Sequence, residues 1–429
     1  MSELETAERL IEFIDLAPSP FHATAEVAAR LEGAGFRRLA EAAAWAPLDA
    51  AGGRCFLVRG GSLVAWTVPA GPPRPARGFR VVAAHTDSPN LRVKARPNTG
   101  VAGCRQLAVE VYGGVLLNSW LDRDLGLSGR VMLRAEAGAE ARLVRVDRPL
   151  LRVPQLAIHL DREVNQKGLA LNPQQHLNPL WSLGPLDERG LEEFLAAELG
   201  VEPDDVLSWD LMCHDVQGAA LLGRDREFVS APRLDNLCSS FCGLEALRAH
   251  EGGERIAVLC LFDHEEVGSG SHTGAGGPIL AELVERVVLA AGGGREELHR
   301  AVADSFCVSV DMAHATHPNW PEKHDPAHWI HMNAGPVIKI NTNQRYATDA
   351  EGEARFQRAC ERAGVGVQKY FHRGDLSCGS TIGPITAANL GMRTVDVGTP
   401  QLAMHSAREL CGSRDPALLV RALSEFLKD

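Results

Sequence analysis

The sequence has no apolar run approaching the roughly 20 residues that a bilayer crossing needs, so no membrane partner is expected. It has no surplus of basic charge: 44 Lys and Arg stand against 55 Asp and Glu, a net charge of −11. Nonspecific nucleic-acid binding needs a positive field, so no nucleic-acid partner is expected. An acidic substrate is not excluded, because bound metal ions reverse a local potential. The ten cysteines are scattered without a CxxC pair. Several, such as Cys260 and Cys307, sit in apolar runs and read as buried thiols, which fits a reducing, cytoplasmic setting. The opening MSELETAERLIEFIDL is acidic and amphipathic, with no basic segment ahead of an apolar core, so no signal peptide is expected. Internal repeats and low-complexity tracts are also missing.

What remains is a globular composition, 45% hydrophobic and 23% charged, over 429 residues, long enough for two or more domains. Thr6–Leu16 reads as a helix, and Ser19-Pro20 as the start of a second, running to about Glu32. Cys55–Val58 and Leu63–Val68 flank a turn and read as a hairpin. Phe79–Ala84, Ile256–Phe262, Val302–Val310 and Val337–Ile340 read as strands, and Gly391–Val397 runs into Gly-Thr-Pro. Leu237–His250, Glu351–Ala363 and Asp415–Leu427 read as helices. Between about 93 and 229 the texture changes to short alternating stretches (Leu107–Tyr112, Gly129–Leu133, Ala141–Val146) with one helix near Leu191–Leu199. The expected architecture is an α/β domain from residues 1–92 and 230–429, interrupted by a mainly β insertion at 93–229.

The chemistry gathers at strand ends. Ile256–Phe262 stops on Asp263-His264-Glu265-Glu266, and Phe79–Ala84 stops on His85-Thr86-Asp87. Asp311 closes a third strand, while Asp235 and His405 sit in loops beside helices. In open α/β sheets this edge is where ligands bind. Five carboxylates and two histidines brought together would repel and force some carboxylates neutral, unless cations share the space. Two divalent ions sharing one bridging carboxylate need about five protein ligands, the pattern of co-catalytic aminopeptidases. Asp87, two residues from His85, can orient that imidazole. One of Glu265 and Glu266 should ligate, the other move a proton, and spacing does not say which. His264-Glu265 does not open an HExxH motif, since position 268 is Gly, and Gly268-Ser-Gly270 does not complete GxGxxG. Five histidines between 314 and 331 read mostly as a surface loop.

Nine motifs in order, HTDSPNLRVK, WLDRDLGLSGRV, AIHLDREVN, PRLDNL, DHEEVGS, SVDMAHATHPN, GPVIKINTNQRYAT, CGSTIGPI and PQLAMHS, resemble the aspartyl aminopeptidase family nearly end to end. The resemblance implies a three-layer α/β/α zinc-exopeptidase-like domain with an inserted dimerisation domain. It implies two Zn2+ per subunit, with Mn2+ or Co2+ able to substitute. His85 and Asp311 would bind one ion, Glu266 and His405 the other, with Asp235 bridging. Glu265 would be the general base and Asp87 the orienting partner of His85. His159 would contact substrate, apparently in a neighbouring subunit, or serve as an additional metal ligand. His314, Lys339 and Tyr346 match substrate-site positions, and Lys339 would suit an acidic side chain. The implied activity is release of N-terminal Asp or Glu from peptides, by subunits assembled as a homododecamer built from dimers. Two alternatives are kept: a co-catalytic amidase, deacetylase or carboxypeptidase on a similar host, and a non-enzymatic metal-stabilised scaffold. Two departures stand out: His264 replaces an expected Asn, and Gln155 an expected His.

Overall fold

The computed structural model describes residues 2–45, 53–72, 74–136 and 138–429. Its centre is a nine-stranded mixed sheet in the order Arg37–Arg38, Arg54–Arg59, Ser62–Thr67, Ile256–Phe262, Phe79–His85, Phe306–Val310, Arg393–Gly398, Val337–Ile340, Gln368–Phe371. The four from Ile256–Phe262 to Arg393–Gly398 run parallel. Parallel strands covered on both faces are nearly continuous apolar runs: Ile256–Phe262 is apolar and buried at every position, and Phe79–His85 is buried at every position with Arg80 as its charged exception before the terminal His85. Helices Glu3–Leu16, Pro20–Gly33, Leu234–Arg248, Ala350–Ala363 and Asp415–Leu427 pack one core against the sheet. Ile279–Ala290, Arg295–Ala303 and Ile382–Leu390 pack the other, completing three α/β/α layers.

A second sheet, six-stranded and antiparallel, orders Gly138–Leu151, Leu125–Ala135, Val206–Asp215, Asn90–Val101, Cys104–Tyr112 and Leu180–Leu183. With helix Gly190–Leu199 it encloses its own core, including Leu127, Val131, Leu191 and Leu195. A third, five-stranded sheet has no counterpart in the sequence reading: Ala220–Leu222, Phe228–Ala231, Glu409–Gly412, Pro400–Leu402 and Ala313–His314. The second sheet thus begins at Asn90 and ends at Asp215, and residues 220–231 pair onward to Glu409–Gly412 rather than to it.

Two elements differ from expectation, and the stretch from Gly391 resolves into a helix end and a strand. Val302 belongs to helix Arg295–Ala303, where it and Leu298, one turn apart, pack on the core; the strand starts only at Phe306. Helix Leu234–Arg248 begins earlier than expected but is broken at Asp235 and Asn236, whose peptide bond is cis. Gly391 belongs to no strand: it ends helix Ile382–Leu390 in the left-handed region, φ +64, and the strand follows from Arg393. Among the described residues no helix is long and apolar enough to cross a membrane. All ten cysteines are free, with Cys260 and Cys307 fully buried.

Candidate metal centre

Register brings the strand ends together. Phe262 pairs with His85 across two parallel strands, and Asp311 follows directly on the next strand. The small third sheet adds the rest: Asp235 lies four residues past strand Phe228–Ala231, and His405 lies in the turn between Pro400–Leu402 and Glu409–Gly412. His85, Asp235, Glu265, Glu266, Asp311, His314, Lys339, Tyr346 and His405 all line one open cleft of about 500 Å³.

Asp235 stands at the middle. Its Oδ1 is 3.4 Å from His85 Nε2 and its Oδ2 is 3.6 Å from His405 Nε2. His85 Nε2 is also 3.6 Å from Asp311 Oδ1, and His405 Nε2 is 3.3 Å from Glu266 Oε1. One donor atom each from His85, Asp235 and Glu266 falls within a 4.8 Å group.

The tautomers are set from outside. His85 Nδ1 donates to the Asp87 carbonyl at 3.0 Å, and His405 Nδ1 to the Gly114 carbonyl at 2.9 Å. A carbonyl only accepts, so each neutral ring turns its Nε2 lone pair toward carboxylate oxygens. Lone pair against lone pair is repulsive unless a proton or a cation lies between. The buried Asp235 Oδ1 has no hydrogen-bond donor, as an oxygen meant for a cation would not. The donor set, imidazole nitrogens and carboxylate oxygens, fits zinc.

The electrostatics say the same. Burial works against a charged His85, yet Asp235 and Asp311 hold its pKa well above the ordinary value. Burial likewise opposes His405, but Asp235 and Glu266 push it up to about 12. Burial works against ionised Asp235, and the two histidines pull its pKa down nonetheless. Burial raises Glu266 to about 7 and pushes Glu265 well above the ordinary carboxylate range, Asp311 and Glu266 adding to it. The cluster demands positive charge.

Asp87 is fully buried and does more than orient a ring. Its Oδ1 accepts from the Glu265 amide and its Oδ2 from the Glu266 amide, each at 3.1 Å. Tyr112 Oη donates to the same Oδ2 at 2.6 Å. Glu409, which the sequence reading passed over, plays the matching part on the other side. Its Oε1 accepts from the His405 amide at 2.7 Å and its Oε2 from the Asp235 amide at 2.9 Å. Nothing in the local sequence marks it. Tyr112 carries a faint signal: the chain has three tyrosines, and the others, Tyr346 and Tyr370, pack beside Lys339 and His314.

Lys339 is buried, its Nζ 3.3 Å from Asp311 Oδ2 and 3.2 Å from the Met312 carbonyl. His314 is held low, to about 4, by burial and by the Lys339 charge. His159 lies apart from this cleft, on an exposed stretch between strands Gly138–Leu151 and Leu180–Leu183. His264 takes a left-handed backbone, φ +62, which asparagine and histidine tolerate better than most residues; its Nδ1 meets Ser271 Oγ at 2.8 Å. Gln155 is exposed and remote from the centre.

A family model described as "Aminopeptidase I zinc metalloprotease (M18)" matches residues 13–427. The probable M18 family aminopeptidase 2 of Streptomyces coelicolor is 54% identical over 424 residues, covering 98% of this chain and 96% of that protein. The protein of the same name from Mycobacterium leprae is 53% identical over 425 residues, covering 98% of each. The solved dodecamer of Saccharomyces cerevisiae mApe1 superposes with a TM-score of 0.85 at 30% identity, covering 99% of this chain and 97% of that one. The chain therefore belongs to the M18 family of zinc metalloaminopeptidases, hydrolases that remove residues from peptide N-termini.

Proposed function

We propose that this aminopeptidase works through a two-zinc centre and prefers N-terminal Asp or Glu. The observation that carries the reading is Asp235, whose two oxygens face two different imidazoles, each with its own second carboxylate. His85 and Asp311 would hold one ion, Glu266 and His405 the other, with Asp235 between. Mn2+ or Co2+ suits the same N/O donors. When bound, paired ions polarise a carbonyl and acidify a water between them. Glu265 lies beside them, its Oε2 4.0 Å from His85 Nε2. With cations present its carboxylate would take a proton from water and pass it to the leaving amine. Asp87 fixes the backbone of both glutamates as well as the His85 ring.

The acidic preference rests on Lys339. An ammonium has three donors; Asp311 and the Met312 carbonyl take two, which leaves one for a substrate carboxylate. His314 and Tyr346 line the same end of the cleft. His159 sits among exposed Leu156, Ile158 and Leu160, the last 74% exposed, an apolar surface suited to a subunit contact. A homododecamer built from dimers, with His159 steadying substrate in a neighbour's cleft, is the assembly we read from this and from the dodecameric yeast relative. Free cysteines support a reducing, cytoplasmic setting. Nothing at the site favours the amidase, deacetylase, carboxypeptidase or scaffold alternatives.

The test pairs metal analysis with a substrate panel. Wild-type protein should hold two zinc ions per chain and cleave Asp- and Glu-terminated peptides faster than Ala- or Leu-terminated ones, leaving N-acetylated peptides intact. Glu265→Gln should keep both metals and lose about 10²–10⁴-fold in turnover. An active Glu265→Gln variant sinks the base assignment, and a single metal per chain sinks the two-zinc reading.

A further inference from the structure

The two histidines at the centre are held in unlike ways. The His85 side chain, 1% exposed, ends a buried strand of the nine-stranded sheet. The His405 side chain is 28% exposed, and its backbone sits in a turn in the left-handed region, φ +66. No strand fixes its ring.

What does reach it comes from the inserted domain. Strand Cys104–Tyr112 of the six-stranded sheet ends beside the centre, and its next two residues are glycines. Tyr112 Oη donates to Asp87 Oδ2. Gly113, with φ +75, lies so close to Glu266 that a Cβ there would stand 3.0 Å from the Glu266 Cβ. The Gly114 carbonyl accepts from His405 Nδ1, and a Cβ on Gly114 would come within 3.1 Å of that same nitrogen. The Leu116 amide donates to the His405 carbonyl at 3.1 Å, and Ser119 Oγ accepts from the Ala407 amide at 2.8 Å. One short run of the inserted domain therefore grips the His405 turn on both sides and seats the carboxylate beside it.

We propose that residues 112–119 of the inserted domain are a positioning element of the metal centre, and that the ion held by Glu266 and His405 depends on them for its affinity. The inference rests on the ligand assignment proposed above. Gly114 sets the His405 tautomer, leaving Nε2 free to ligate, and the missing side chains at 113 and 114 let the turn approach. The ion at His85 and Asp311 feels this segment only through Tyr112 and Asp87. The two ions are accordingly unequal, and the inserted domain controls the weaker one.

Gly114→Ala in the full-length, assembled protein tests this. No positive φ burdens that position, so the added Cβ acts on the His405 ring rather than on the backbone. Zinc per chain is measured after dialysis against graded chelator, and Co2+-loaded protein is followed by its visible absorption. Gly114→Ala should lose one of two metals at least ten-fold more readily than wild type and keep the other at wild-type affinity. Ser119→Ala, a milder change, should weaken the same metal a few-fold and guards against misfolding of the first variant. His405→Ala identifies which metal is lost. If His405→Ala loses one metal while Gly114→Ala and Ser119→Ala hold both as wild type does, the positioning role is overturned. If His405→Ala retains both metals, the ligand assignment itself fails.

Discussion

Removing the Glu409 carboxylate should loosen two proposed ligands at once. Glu409 is 2% exposed and accepts the backbone N–H groups of Asp235 and His405. Burial and the neighbouring Asp235 charge push its pKa well above the ordinary range, while the two N–H donors pull the other way. Glu409→Ala leaves both amides without a partner in a buried setting, at about 1–3 kcal/mol each. The cavity adds to this, so a loss of roughly 3–6 kcal/mol is expected. Glu409→Gln keeps one carbonyl acceptor but turns an NH2 group toward the second amide, for about 2–3 kcal/mol. Unfolding a chain of 429 residues carries an entropy of roughly 0.9 kcal/mol per degree, so Tm should fall by about 3–6 °C for Ala and 2–3 °C for Gln. Metal affinity should fall by about 10–100-fold, as when partners behind a ligand are removed. Thermal melts with excess zinc and with chelator separate the two effects, since lost affinity widens the gap between variant and wild type only when zinc is present. A Glu409→Ala variant with wild-type Tm and wild-type zinc affinity would refute the reasoning.

Lys339→Met should lower kcat/KM on Asp- and Glu-terminated peptides by more than ten-fold and on Leu-terminated ones by much less. Equal loss on all peptides would mean that Lys339 serves Asp311 alone, across the 3.3 Å contact it makes. Where helix Pro20–Gly33 meets the six-stranded sheet, His22 is buried beside Ser19, Arg145, His214, Asp147 and Arg233, and burial first, then the Arg145 charge, lowers its pKa to about 4. Between about 6.5 and 4 the unfolded chain takes a proton that the folded chain refuses, so stability falls as pH drops through this window. From pH 7 to pH 5 His22 alone accounts for ~2 kcal/mol, so wild type should lose that much more over this range than His22→Gln, measured by chemical denaturation. Parallel pH profiles for the two proteins would rule it out.

The buried parallel strands were legible because they are nearly continuous apolar runs, and Ile256–Phe262 matches residue for residue. Strand ends were legible too, since polar residues that stop an apolar run stand out. The small third sheet was not. Its strands are two to four residues long, with no period to detect, and they join residue 220 to residue 412. Asp235 and His405 were therefore legible only as polar residues in loops beside helices, their ligand roles came from the family motifs, and the element that brings them together was missed. Glu409 was missed for a related reason: its contacts are to backbone amides, and a backbone amide leaves no mark in a sequence. Val302 misled because a half-buried helix face and a strand start share the same short apolar run.

Two carboxylates behind the centre work alike. Asp87 takes the amides of Glu265 and Glu266, and Glu409 takes those of Asp235 and His405. Besides the Tyr112 hydroxyl on Asp87 and the Gln401 amide on Glu409, each bonds to the backbone of two site residues, which fixes them while leaving their side-chain oxygens and nitrogens open. Each also adds a carboxyl group close to a centre that already has four, and burial holds Glu265 and Glu409 well above the ordinary carboxylate range, so without cations not all six stay ionised. Against these six carboxylates stands one buried ammonium, Lys339, when both imidazoles are neutral. Ionising all six would then leave five negative charges in a partly buried space, which burial opposes. Protonating both histidines offsets two of them but uses the very Nε2 atoms that face Asp235. One divalent cation leaves three charges uncompensated; two leave one. The orienting carboxylates thus do more than hold geometry: with all six ionised, two metal ions would bring the centre close to neutral and one would not, so Asp87 and Glu409 add to the demand for positive charge that the proposed ligands create.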